Sequence, residues 1–166
     1  MTIIQHNQYM ELALAQAALA KAKDEVPVGA VVVYKDKVIG SGHNLTRSNN
    51  NAMCHAEMIA LAEASKNLGS EKLLGCTLYV TLEPCPMCAG AMVLARLSQL
   101  VYGAMDPKMG AAGTWVNIVN NPSFNHRVQV LGGIMEAECA AILQDFFRSR
   151  RDQPQQNKHG VVSKRS

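Results

Sequence analysis

Two short motifs in this chain carry residues able to do chemistry: Cys54-His55-Ala56-Glu57 and Pro84-Cys85-Pro86-Met87-Cys88. His55, Cys85 and Cys88 together supply one imidazole and two thiols. That donor set suits tetrahedral Zn²⁺ with its fourth position left for water, the catalytic rather than the structural arrangement. Glu57 is then a spare carboxylate that can take and return a proton of such a water. Cys85 and Cys88 are three apart in the sequence, so the first turn of a helix would bring both sulfurs onto one face. Exposed backbone N–H groups there favour thiolate over thiol. A lone Cys-x-x-Cys also serves redox sites, and Pro86-Met87 between the cysteines would suit a thiol switch. The conjunction of His-x-Glu with Pro-Cys-x-x-Cys is what points to a metal.

The elements that must hold these residues can be read from the pattern. Gln8 to Lys23 places Leu12, Ala15, Leu19 and Ala22 at helical spacing, which predicts an amphipathic first helix with that face inward. The apolar run Val28 to Tyr34 and the segment Val38 to Ser41, separated by Lys35-Asp36-Lys37, read as a hairpin. The polar stretch Asn44 to Asn51 reads as a loop leading into a helix from about Cys54 to Asn67, stopped by Gly69. Thr77 to Leu82 is strand-like, and Pro84 or Pro86 starts a helix running to about Leu97, so the second motif falls at a strand-to-helix junction. Leu100 to Gly103 and Val128 to Leu131 read as two more strands, and Met135 to Arg151 as a last helix. Strands alternating with helices predict a three-layer α/β domain, one sheet covered on both faces.

At 166 residues and 18.0 kDa the chain suits one domain with a full core. It has no apolar run long enough to span a bilayer and no secretory-type start, so the expectation is a cytoplasmic protein without membrane attachment. Five cysteines, an odd number, argue against a disulfide framework. Cys54, Cys76 and Cys139 read as small buried hydrophobes, with Cys54 notable for its place beside His55. Charge is unevenly spread: residues 148–166 carry six basic residues against one acidic, leaving a net charge of −2 on the other 147. A basic end on a slightly acidic body suits a polyanion such as RNA, or simply a solvated tail. Residues 1–151 are therefore expected to form the domain and 152–166 a basic, disordered tail.

The paired motifs match the His-x-Glu and Pro-Cys-x-x-Cys signature of the zinc deaminases, and the chain resembles that group, the cytidine deaminase superfamily. It is more closely similar to the bacterial tRNA-specific adenosine deaminases, through Glu25–Ala30, Thr77–Ala91, Gly110–Gly113, Asn125–Val128 and Glu138-Cys139 with Asp145–Arg148. The resemblance covers about residues 8–151. It implies a three-layer α/β/α fold with a central mixed five-stranded sheet, one Zn²⁺ per subunit held by His55, Cys85 and Cys88, and Glu57 as proton shuttle. It further implies conversion of adenosine to inosine at the first anticodon position of a transfer RNA, by a homodimer. Asn44 matches the residue that hydrogen-bonds the flipped nucleoside. Asp106 and Lys108 match a loop lining the RNA groove, and Phe147, Arg148 and Arg150 a final helix beside the anticodon loop. The residue types suit those tasks, with arginine for phosphate and an aromatic ring for unpaired bases. Phe146 and Phe147 are adjacent, about 100° apart on a helix, so one is expected to face RNA and the other the core.

The sequence departs from the family's usual pattern at Cys54, Trp115 and Asn120-Asn121, which bears on the RNA loop accepted rather than on the metal. Two alternatives stay open at this point. Guanine deaminases can share both motifs, so a free nucleobase or nucleotide deaminase of guanine or cytosine type remains a reading. An RNA-binding module with a structural zinc is the other, and Glu57 argues against it because a structural site has no use for the carboxylate.

Overall fold

The computed structural model describes residues 2–152. The expected tail lies, from residue 153 onward, outside the described residues. The order of elements is α1 (Ile3–Ala22), β1 (Gly29–Tyr34), β2 (Lys37–His43), α2 (Ala56–Leu68), β3 (Thr77–Leu82), α3 (Pro86–Leu94), β4 (Gln99–Ala104), β5 (Gln129–Gly132) and α4 (Glu136–Arg151). The strands form one sheet in the order β2-β1-β3-β4-β5. β1 pairs antiparallel with both β2 and β3, whereas β3-β4 and β4-β5 are parallel, so the sheet is mixed as expected.

The β1–β2 turn has Lys35 and Asp36 both at positive φ (48° and 60°). That is the two-residue geometry whose twist matches paired strands. Alternation along β1 then sorts its side chains. Ala30 and Val32 face the α2 and α3 layer with Leu78, Val80 and Met92, while Val31 and Val33 face Met10, Ala13, Tyr79 and Cys139 on the α1 and α4 side. Each fully buried Val or Leu contributes about 1.5–3 kcal/mol, and this double-sided burial holds the layers together.

The first helix differs from its expectation in start and in face. It begins at Ile3 because Thr2 and Gln5 form a capping box. Leu12, Ala15, Leu19 and Ala22 lie outward; the buried stripe is His6, Met10, Ala13, Ala17 and Ala20. The reason is close approach: a Cβ on Gly29 would sit 2.1 Å from the Ala13 carbonyl oxygen, so only small residues on α1 let it meet β1 at that distance. Hydrophobicity alone selects the leucines and so misses the stripe. Elsewhere, α3 ends at Leu94, three residues earlier than expected, and β2 extends to His43. Gly69 caps α2 in the left-handed conformation, with φ 66°. Among the described residues, no helix is long and apolar enough to cross a membrane.

Candidate active site

Two helix starts meet at the motif residues. His55 is the N-cap of α2, and Cys85 is the N-cap of α3 with Pro86 following it in the first turn. Cys88 falls one turn into α3 and is fully buried. His55 Nδ1 lies 3.6 Å from Cys85 Sγ and 3.6 Å from Cys88 Sγ, and all three donor atoms lie within 4.8 Å of one another. With zinc–nitrogen and zinc–sulfur bonds of about 2.0–2.1 and 2.3 Å, an ideal tetrahedron has an N···S edge of about 3.6 Å. The side chains are thus spaced as such an ion requires. One imidazole and two thiols are also the soft, borderline donors that Zn²⁺ takes, so the residues fit it and leave a fourth position.

Electrostatics agree with an anionic ligand set. The hydrogen bond from Cys88, followed by that from His55, holds the Cys85 thiol well below its ordinary value, while the same contact and burial push Cys88 up. The pair shares one ionisation, with His55 raised by its bond to Cys85. A bound cation would draw off the remaining proton, because its charge favours thiolate at both sulfurs.

Glu57 lies in the opening turn of α2 and is buried, and burial lifts its carboxyl to about 7. It lines a cavity of about 220 Å³ together with His55, Cys85, Asn44, Asp106 and Met109. A larger groove of about 500 Å³ runs along β2 and α2, past Gln16, His43, Glu63 and Lys66, and shares no residue with the ligand cluster. Volume alone would pick the groove; the convergent chemistry picks the smaller cavity. In that cavity Asn44 Oδ1 accepts the Ala56 N–H at 2.9 Å. Because the partner is a donor, the Asn44 amide nitrogen is the group left for a ligand.

The remaining expected residues fall in two groups. Asp106 lines the cavity and caps its own loop, accepting from the backbone N–H groups of Lys108 and Met109, whereas Lys108 is exposed. Phe147, Arg148 and Arg150 lie on α4, and none lines the cavity. Phe146 is buried and Phe147 is 48% exposed, as their adjacency required. Arg148 pairs with Asp145, and Arg150 with Asp24.

Sequence reading overlooked two buried carboxylates that shape the cavity walls. Glu83 Oε1 accepts from the backbone of Ala112 and Thr114, and Oε2 from that of Asp106, which ties down the loop on one side. Gly110 makes room for it, since a Cβ there would lie 2.3 Å from Glu83 Oε2. Glu25 does the same opposite, accepting from Thr46 Oγ1, Arg47 N, Ser48 N and Ser48 Oγ. The available signal was an acid one or two residues before a proline at the edge of a strand, at Glu83-Pro84 and Glu25-Val26-Pro27. Cys54 is half-buried, and its sulfur receives Asn49 Nδ2 rather than joining the cluster.

The MafB19-like deaminase family matches residues 4–151. A tRNA-specific adenosine deaminase of Bacillus subtilis is 48% identical over 147 residues, covering 89% of this chain and 91% of that protein. One from Agrobacterium fabrum is 46% identical, covering 89% and 97%. The chain belongs to the tRNA-specific adenosine deaminase family. A solved structure from work on A-to-I editing by tRNA:A34 deaminases at the wobble position superposes on this deaminase with a TM-score of 0.79. It is 46% identical, and the match covers 82% of this chain and 99% of that one. A guanine deaminase of Nitrosomonas europaea shares the fold, with a TM-score of 0.73 at 23% identity.

Proposed function

We propose that this enzyme hydrolyses adenosine to inosine at the first anticodon position of a transfer RNA, using one zinc ion per subunit held by His55, Cys85 and Cys88. The observation that carries the reading is the convergence of those three donors on a cavity whose wall also holds a buried carboxyl, Glu57, and a free amide donor on Asn44. A zinc ion in that position supplies an acidified water as nucleophile at neutral pH.

The chain's own residues do the rest. The Asn44 amide N–H orients the flipped nucleoside over the cluster. Glu57 takes a proton from the attacking water and returns it to the base. Water oxygen adds at C6, the proton of the new hydroxyl passes by way of Glu57 to the amino group, the C6–N bond breaks to release ammonia, and inosine remains. Glu57, buried in the opening turn of α2 beside the ligand cluster, is a carboxyl in reach of that work. The walls that exclude bulk water are Val26, Val28 and Leu82, with the loops pinned by Glu25 and Glu83.

RNA outside the cavity meets the Asp106 and Lys108 loop and the face of α4 with Phe147, Arg148 and Arg150. Phe147 stacks an unpaired base in this reading, which its 48% exposure on a helix with a basic last turn supports. Such a substrate puts the enzyme in the cytoplasm. A homodimer belongs to the same reading, supported by large exposed apolar side chains at Leu94 (85%) and Trp115 (74%), and sedimentation would test it. Incubation with an anticodon stem-loop, and separately with guanine and cytidine, tests the substrate class. Inosine should form in the RNA while both small substrates persist; turnover of a small substrate without RNA editing would overturn the reading.

A further inference from the structure

Asp24 sits in the turn between α1 and β1, two residues before the cavity-lining Val26, and is 69% exposed. It receives two arginines from distant parts of the chain. Arg47 Nη1 donates to its carbonyl oxygen at 2.9 Å and to Oδ2 at 2.8 Å. Arg150 Nη2 donates to the same carbonyl at 2.9 Å and to Oδ1 at 2.6 Å. Arg47 directly follows Thr46, another cavity residue, and Arg150 lies on α4. One carboxylate thus gathers two guanidinium groups at the rim of the site, and the trio keeps a net positive charge.

Each arginine spends one terminal nitrogen on Asp24, and the other makes no hydrogen bond to the described residues. Arg150 is also held in place from behind: its guanidinium lies 4.6 Å over the Phe146 ring, and its Nε is buried without a partner. Exposed ion pairs of this kind are weak, because water screens the charges and both long side chains must be held still. A phosphate group can take two parallel N–H bonds from one guanidinium, whereas Asp24 engages a single terminal nitrogen of each. A polyanion reaching this rim would therefore find two aimed arginines whose present partner is easily displaced.

We propose that Asp24 competes with the RNA backbone for Arg47 and Arg150, so that docking exchanges this carboxylate for phosphate and Asp24 sets the strength and salt dependence of RNA binding. The inference rests on the proposed function in taking RNA as the partner. Asp24 has φ 58°, a left-handed conformation that asparagine and glycine also accept. Asp24→Asn and Asp24→Gly therefore remove the charge while keeping the turn.

The test measures binding of the full-length variants to an anticodon stem-loop and to poly(U) across a salt series. Both variants should bind each RNA roughly three- to tenfold more tightly near 0.1 M salt. The slope of log K against log salt should steepen by about 0.7 per arginine released. Adding Arg47→Ala and Arg150→Ala should cancel the gain. Affinity and slope that stay level or fall in both Asp24 variants overturn the proposal. The substrate reading is judged separately, by whether the wild-type protein edits the stem-loop. Poly(U) binding decides the role of Asp24 either way.

Discussion

Asn44 turns its side-chain oxygen onto the backbone N–H of Ala56, 2.9 Å away, joining the loop after β2 to the first turn of α2 beside His55. The contact fixes the orientation of the amide and separates two tasks in one residue, holding the helix start and presenting a donor. Asn44→Asp keeps the acceptor, and a negative charge at a helix N-terminus is favourable. The variant should melt no lower than the parent. It should nonetheless lose about 1–3 kcal/mol of substrate interaction, a drop in kcat/KM of about five- to 150-fold, because the donor is gone. Unchanged kinetics in Asn44→Asp would show that the amide does not touch substrate.

Neighbouring phenylalanines on α4 should respond oppositely to truncation. Phe146 is buried, and Phe146→Ala should cost about 3–5 kcal/mol of stability in denaturant unfolding. Phe147 is 48% exposed, so Phe147→Ala should leave stability nearly level while weakening stem-loop binding by about 1–3 kcal/mol, the value of one stacked base. Equal stability losses in the two variants would remove Phe147 from the RNA surface.

Glu25 predicts a pH dependence of stability. Burial alone would raise its carboxyl, but the hydrogen bonds from Ser48, Arg47 and Thr46 outweigh it and hold the group below its usual 4.5. A folded value below the unfolded one means stability that is present above pH 4.5 and lost as pH falls through the folded value. Glu25→Gln should therefore be less stable than the parent by about 1.5–3 kcal/mol at neutral pH. The gap should narrow steadily under pH 4.5. A gap that stays constant down to acid pH would show that the carboxylate charge is irrelevant to holding the loop.

Residues 153–166 contain Lys158, Lys164 and Arg165 and no acid. Removing them should weaken stem-loop binding about two- to fivefold at moderate salt, with less effect as salt rises. Metal content and melting temperature should not move. A drop of many degrees on truncation would mean that the segment packs on the domain.

How much of this was legible in the sequence depended on how far apart the partners lie. The ligand cluster was readable because His-x-Glu and Cys-x-x-Cys each fall within one helical turn, and helix starts announce themselves through Pro86 and a polar loop. The strands were readable from runs such as Thr77–Leu82. Glu83 and Glu25 were not, since most of their partners are backbone N–H groups 22 to 31 residues away, a pairing with no side-chain signature. Arg150 reads as a free RNA contact until its partner Asp24, 126 residues distant, comes into view. The face of α1 failed for a different reason: a tight approach to Gly29 rewards alanine over leucine, which hydrophobic periodicity does not register.

In the proposed reaction, His55, Cys85, Cys88 and Glu57 act on a wobble adenosine. Its most direct test is an anticodon stem-loop carrying adenosine or guanosine at the first anticodon position, incubated with parent, Glu57→Ala and Cys88→Ala proteins and assayed for both inosine and bound zinc. Inosine should form only with adenosine and the parent protein, Glu57→Ala should keep full zinc without turnover, and Cys88→Ala should lose zinc. Inosine formed at the parental rate by Glu57→Ala would contradict the proposed reaction.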